Sequence, residues 1–227
     1  MTPTSARDQL ISAAEELFAE RGIDGVSLRE ITAAAGARNA SALNYHFGGR
    51  TGLLQALLAK HKPAVESRRH ALLDAYDAGA DPQLRVLAGA LVRPLAQSLR
   101  DPGGPGYVQV LSDLSNRPQP AVDSASMEDP ADSLYRWRHA VEPLLVPGAA
   151  VLHRRFVAVR FTLSELARRP RGRLVGGDTL FVADLTDLVT GLLAAPVSPE
   201  TEKLVERRGS RRRRPRRRVT GAEVPGA

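Results

Sequence analysis

The sequence has no cysteine, only 4% aromatic residues and just three lysines beside 29 arginines. The missing cysteine excludes disulfide scaffolds, thiolate zinc sites, iron–sulfur clusters and cysteine nucleophiles. Nowhere do about 18 uncharged apolar residues follow one another, so no membrane-spanning helix is expected. The opening Met1-Thr2-Pro3-Thr4-Ser5-Ala6-Arg7-Asp8 is polar and charged, unlike a secretory signal. A cytoplasmic protein is therefore expected, and arginine in place of lysine, with much Ala, Gly and Pro, fits a GC-rich bacterial genome. Enzyme signatures are also missing. His46, His61, His70, His139 and His153 form no i,i+4 ligand pair, and His139 with Glu142 reads as a solvated pair. Neither a GxSxG elbow nor a phosphate-binding loop occurs, and Gly103-Gly104-Pro105-Gly106 reads as a flexible loop. No catalytic residue, metal ligand or cofactor is expected.

What remains is a chain of 227 residues, 43% apolar and with a formal charge of +7. The apolar content suffices for a core. The charge is unevenly placed. Residues 1–60 hold six basic and six acidic side chains, residues 61–206 hold 17 and 18, and residues 207–227 hold nine arginines and one glutamate. The basic excess belongs to the run from Arg207 to Arg218. A block of like charge repels itself, so residues 201–227 are expected to be a disordered Arg-rich tail. That tail is compatible with a passive solubilising role, with added phosphate contacts, or with another anionic partner.

Elsewhere the pattern is helical. Leu10, Ala13, Ala14, Leu17 and Phe18 make one stripe over Arg7–Glu20, stopped by Gly22. Ser27 and Glu30 form a capping-box pattern at the head of a short helix from Leu28 to about Ala35. A second short helix spans about Asn39 to Phe47, Gly48-Gly49 breaks it, and a fourth begins near Thr51, with Pro63 expected to kink or interrupt it. Asp81-Pro82 suits the head of a helix through Leu84–Leu95, and a short helix through Val108–Leu114 follows. Residues 115–132 are rich in Pro, Ser and Asp, and three further stretches, 133–145, 149–168 and 178–195, are helical in period. No strand pattern or internal repeat is present. The expected class is all-α, with an N-terminal three-helix helix-turn-helix domain over 1–60 and a helical ligand-sensing and dimerisation domain over 61–200.

Two short helices joined through Gly36, with small residues Thr32, Ala33 and Ala35 where they cross, are the pattern of a helix-turn-helix. The second of the pair then suits the DNA major groove, where each base pair presents its own donor and acceptor edge. Arg38, Asn39, Ser41, Asn44, Tyr45 and His46 are hydrogen-bonding residues on or beside it, while Leu43 and Phe47 suit the core. Arg50 and Thr51, at the start of the fourth helix, are placed to hold a phosphate.

Leu17-Phe18-Ala19-Glu20-Arg21-Gly22, Val26-Ser27-Leu28-Arg29-Glu30-Ile31, Ala35-Gly36, Tyr45-His46-Phe47-Gly48 and Leu53-Leu54 resemble, in order and spacing, the N-terminal domain of the tetracycline-repressor (TetR) family. The resemblance covers residues 6–58. The stretch Arg38-Asn39 to Gly48 is similar to a branch reading Arg-Asn-x-Ser-Ala-x-x-Tyr-His-Phe-Gly, one residue longer than the commonest form. The resemblance implies a homodimer that binds double-stranded DNA and a divergent C-terminal domain that senses a small-molecule effector. It makes Ser27 a phosphate contact, Asn39, Ser41, Asn44, Tyr45 and His46 recognition contacts, and Arg50 the counterpart of a backbone-gripping lysine.

In the later helices, Tyr107, Trp137, Phe156, Arg160 and Phe161 are the expected ligand-binding residues, with ordinary core packing as the alternative. Val159, Leu163, Leu166, Leu185, Leu188 and Leu192 lie on the two helices that have the family position of the dimer-forming pair, the alternative being intrachain packing. The expected function is a ligand-responsive transcriptional regulator, a repressor, on a pseudo-palindromic operator. The alternative is a DNA-bound organising or cell-division factor of the same fold.

Overall fold

The computed structural model describes residues 5–37, 41–79, 83–117, 128–149, 151–169 and 178–213. Within them the chain is helical and has no strand. The helices are α1 (Ala6–Arg21), α2 (Leu28–Ala34), α3 (Ala42–Phe47), α4 (Arg50–Asp77), α5 (Leu84–Ser98), α6 (Gly104–Ser115), α7 (Ser133–Val141), α8 (Arg154–Ala167), α9 (Asp178–Ala194) and α10 (Pro199–Arg213). A short 3₁₀ turn, Glu142–Leu144, continues α7. Among the described residues no single helix is long and apolar enough to cross a membrane.

The N-terminal stripe behaves as its spacing dictates. Leu10, Ile11, Ala14 and Phe18 of α1 are buried with Ile23, Val26, Ile31, Leu43, Leu53 and Leu57, which closes a small core under α1–α3 and the start of α4. Helix α4 then leaves this unit and packs against α5, α6 and α7, so one continuous rod joins the first helices to the rest.

Pro63, expected to kink or interrupt α4, lies inside it without interrupting it. Proline costs a helix its N–H bond to the carbonyl four residues back. That carbonyl belongs to Ala59, and Ala59 and Pro63 are both exposed, so water is at hand to satisfy it. Pro94 inside α5 raises the same problem in the core, where water cannot help. There the Ala90 carbonyl, four residues earlier, accepts a hydrogen bond from Arg69 Nε at 3.3 Å. Arg69 is 4% exposed, and its other end donates to Ser133 Oγ at 2.8 Å. A buried arginine thus closes the gap that a buried proline opens, while Glu66 accepts from the Ser133 backbone N–H at 2.7 Å.

Gly103-Gly104-Pro105-Gly106, expected as a flexible loop, is instead the N-cap and first turn of α6, pressed onto α1. A Cβ on Gly106 would sit 2.2 Å from the Glu15 carbonyl oxygen, so only glycine permits this approach.

The C-terminal run also differs from expectation. Residues 199–213 of the tail are helical, and residues 214–227 lie outside the described residues. Local chemistry explains the helix. Ser198 Oγ accepts from the Thr201 N–H at 3.3 Å, and Pro199 opens the first turn with its fixed φ. Glu200 and Glu202 lie in the first turn, where their charge complements the positive end of the helix dipole.

Candidate nucleic-acid interface

The turn between α2 and α3 is built by backbone rules. Gly36 has φ 65°, its N–H donates to the Ala33 carbonyl at 3.0 Å, and the Ala37 N–H donates to the Thr32 carbonyl at 3.1 Å. Those two bonds are a Schellman motif, with glycine in the left-handed position that closes α2. Thr32, at the crossing, is 5% exposed and returns its hydroxyl to the Leu28 carbonyl at 2.8 Å.

The other end of α2 is fixed as firmly. The Ser27 hydroxyl accepts from the Glu30 N–H at 3.2 Å, and Glu30 Oε2 accepts from the Ser27 N–H at 2.7 Å, a complete capping box. Arg21, at the end of α1, donates to Glu30 Oε1 at 2.7 Å. Hydrogen bonds from the Ser27 hydroxyl and backbone, with one from Arg21, pull the Glu30 carboxyl down to a pKa of about 2. Its charge therefore persists at any physiological pH and holds the α1–α2 corner.

Helix α3 has one buried anchor, Leu43, and an open side on which Ser41, Asn44 and Tyr45 are exposed. Tyr45 is 86% exposed, an unusual position for a tyrosine unless something covers it. Its ring meets His46 edge-on with centroids 5.1 Å apart, and the half-buried Phe47 has the Arg7 guanidinium 5.3 Å from its ring centre. Thr51 is exposed in the first turn of α4, and Ser27 is exposed at the head of α2. Arg38 and Asn39 lie outside the described residues.

Arg50 is engaged differently from what its position in the sequence suggests. Its two terminal nitrogens donate to the Ile23 carbonyl, at 2.7 Å, and to the Val26 carbonyl. The guanidinium ties the start of α4 to the loop between α1 and α2. This contact is invisible in the sequence, because 27 and 24 residues separate the partners. Arg29, exposed on α2 two residues after Ser27, is a cation that the sequence reading passed over; a basic residue in the first turn of the helix is the signal that marks it.

Behind this face, a polar junction joins α1, α4 and α6. Glu15 is buried; Lys60 Nζ donates to both its oxygens at 2.8 Å, and His61 Nε2 lies 2.7 Å from Oε1. Burial pushes the Glu15 carboxyl up, but the His61 and Lys60 hydrogen bonds outweigh it and leave the pKa below the ordinary value. His61 stacks on Tyr107 of α6 with centroids 5.0 Å apart. Nearly two turns further along α6, Asp113 Oδ2 accepts from the Ile23 N–H at 2.7 Å.

The expected ligand residues do not converge on one cavity. Trp137 is fully buried and donates from Nε1 to the Leu87 carbonyl at 2.8 Å. Tyr107 is 5% exposed, and burial raises its hydroxyl pKa to about 12. Phe156 and Arg160 form a cation–π pair at 5.8 Å, with Arg160 Nε also donating to Asn116. Phe161 packs partly buried against the core. A hollow of about 400 Å³ lies elsewhere, between α5, α8 and α9.

Of the residues expected at a dimer interface, Leu163, Leu166 and Leu185 are buried within the chain, and Val159 and Leu192 pack against the same core. Leu188 is exposed, and so are Leu180 of α9 and Val157 of α8. The i,i+4 stripe that marks a helix as amphipathic does not say which of two apolar neighbours, intrachain or partner, covers it.

Residues 10–57 match the family model described as bacterial regulatory proteins, tetR family. Among solved structures, the chain is similar to a mutant of HlyIIR, at 16% identity over 86% of this chain and 99% of that one, with a TM-score of 0.52. It is also similar to AmtR of Mycobacterium smegmatis, at 19% identity over 92% and 97% of the two chains and a TM-score of 0.49. A TetR-family regulator (SCO0857) from Streptomyces coelicolor A3 gives 18%, 85%, 97% and 0.45 in the same order. No curated protein matches the chain in sequence.

Proposed function

We propose, starting from a TetR-family helix-turn-helix domain at the head of an all-helical chain, that this protein is a ligand-responsive transcriptional repressor that binds a pseudo-palindromic operator as a homodimer. The observation that carries this reading is α3. It is anchored by one buried leucine and set by a Schellman turn behind a capped α2, with Ser41, Asn44 and Tyr45 solvent-exposed.

In this reading the Asn44 amide and Ser41 hydroxyl read base edges, while the Tyr45 hydroxyl, His46 and Thr51 reach edges or phosphates. Ser27, whose N–H and hydroxyl both donate to Glu30, turns its hydroxyl to a phosphate at the head of α2 when DNA is bound. Arg50 acts by fixing the corner from which Ser27 and α2 project, rather than by gripping DNA itself. Of the basic residues in α1–α3, Arg29 is the added phosphate partner. Arg38 and Asn39 retain the contacts expected of them in the sequence.

A dimer places two such helices on successive major grooves about 34 Å apart. Leu180, Leu188 and Val157 supply an apolar face on α8 and α9 for that association. Regulation runs through α4, α6 and the Glu15–His61 junction, because a shift of α6 moves α1 through Glu15 and the α1–α2 loop through Asp113. An effector alters DNA affinity only by binding the two arrangements unequally, by a factor of order 5–150 for ordinary coupling energies. Selection of bound duplexes from a random pool by the full chain tests the proposal. A recovered two-fold symmetric motif is expected, and recovery of unrelated duplexes refutes operator binding.

A further inference from the structure

Helix α5 carries Arg85 and Arg93, with Arg100 just beyond its end, at spacings of eight and seven residues, close to two helical turns each. Together with Arg169, just past α8, these cations line the hollow of about 400 Å³ between α5, α8 and α9. Its described lining holds those four arginines and no aspartate or glutamate. The remaining wall is largely apolar, with Leu99, Leu166, Val182 and Ala183. Arg169 lies 4.1 Å from the Phe181 ring centre, so one cation is already seated on an aromatic face. Arg85 meets Asp187 at 2.7 Å on the rim.

We infer that this groove binds an amphipathic anion, a carboxylate on an apolar body. Each guanidinium has five donors in a planar fork, so an arginine that already meets a neighbour keeps donors for a carboxylate. The described lining offers guanidinium donors and no carboxylate, so an anion meets no like charge there. The apolar wall has no such use for a hydrated inorganic ion, which is why the ligand has a body as well as a charge. The volume lies within the range of small-molecule sites.

The groove is also placed to act on the first helices. A second hollow, about 320 Å³, shares Leu99, Leu166 and Arg169 with it and reaches Ala19 and Glu20 at the end of α1. An occupant that spans both bears directly on the helix leading into the α1–α2 corner. Naming the ligand an effector rests on the regulator reading above; its binding does not.

Calorimetric titration of the full chain, without DNA, tests the site with decanoate, decanol and decylammonium, which share one apolar body and differ in charge. Decanoate is expected to bind at least tenfold more tightly than either of the others, the size expected of a charge-assisted hydrogen bond. Arg93→Gln, at an exposed position whose side chain lies along Gly89, should weaken decanoate at least tenfold with an unchanged melting temperature. Ala183→Trp should abolish binding by filling the apolar wall while keeping every charge. Equal affinity for decanol and decanoate, equal binding by Arg93→Gln, or no binding at millimolar ligand overturns the proposal. A self-associated chain whose groove is covered by a second copy gives no binding in the same titration, and overturns it too. Decanoate binding by a chain that selects no duplex refutes the regulator and leaves the site; the opposite result does the reverse.

Discussion

His61 Nε2 lies 2.7 Å from Glu15 Oε1 in a contact where both side chains are buried, and this pair binds α1 to the long helix that leaves the helix-turn-helix unit. Lys60 on the same carboxylate is 41% exposed, so the junction opens to solvent on one side only. Glu15→Gln removes the charge and leaves two donors facing a weaker acceptor. A loss of about 1–3 kcal/mol is expected in urea unfolding, the usual range for a buried hydrogen-bonded charge. An unchanged midpoint would show that the junction contributes nothing.

The sign of the acid response follows from two depressed carboxyls. Glu15 lies below its ordinary value, and Glu30 lies at about 2 against an ordinary 4.5. Below pH 4.5 the unfolded chain takes up protons that these folded-state groups refuse. Their contribution is therefore complete above that pH and is lost as pH falls toward 2. Stability measured from pH 7 to pH 2.5 should be level at the upper end and fall below about pH 4.5, and Glu30→Gln should flatten part of the fall. A fall centred near pH 6 contradicts this.

Gly52, in the first turn of α4, is pressed against α3. A Cβ there would sit 1.8 Å from the Phe47 carbonyl oxygen, which is backbone and cannot swing aside. Gly52→Ala should destabilise the protein by about 1–3 kcal/mol, the cost of forced overpacking, despite alanine's higher helix propensity. Thermal unfolding measures it, and stabilisation would show that α3 and α4 are not so closely packed.

Arg50→Ala separates an architectural role from a phosphate contact. Loss of the Ile23 and Val26 carbonyl ties should lower stability by about 1–3 kcal/mol and weaken DNA binding with it. The log–log salt slope should stay the same, because no phosphate contact is removed. A slope shallower by about 0.9 with stability intact identifies Arg50 as a backbone-gripping residue instead.

Much of the N-terminal unit was legible in the sequence because its signals are local. The stripe of α1, the Ser27–Glu30 box and Gly36 each act within one or two helical turns. What was not legible depends on contacts across the chain. Pro63 breaks nothing because Ala59 is exposed, and Pro94 is tolerated because Arg69, 25 residues earlier in sequence, satisfies Ala90. Leu163, Leu166 and Leu185 carry the spacing of an interface yet are covered by their own chain. The Arg-lined groove joins α5 to segments some 70 to 100 residues later, so no window of sequence holds it. Of the aromatic residues expected to bind ligand, Tyr107 and Trp137 are core, and periodicity in the sequence does not distinguish a core aromatic from one that lines a cavity.

The reading of DNA by α3 is tested most directly by fluorescence anisotropy on a duplex recovered by selection, comparing the unaltered chain with Asn44→Ala and Tyr45→Ala. Both positions are exposed, so the melting temperature should not move. At least tenfold weaker binding is expected for each, consistent with about 1–3 kcal/mol for a specific base contact. Undiminished affinity in both variants, with the duplex still selectively bound, contradicts the placement of α3 in the groove.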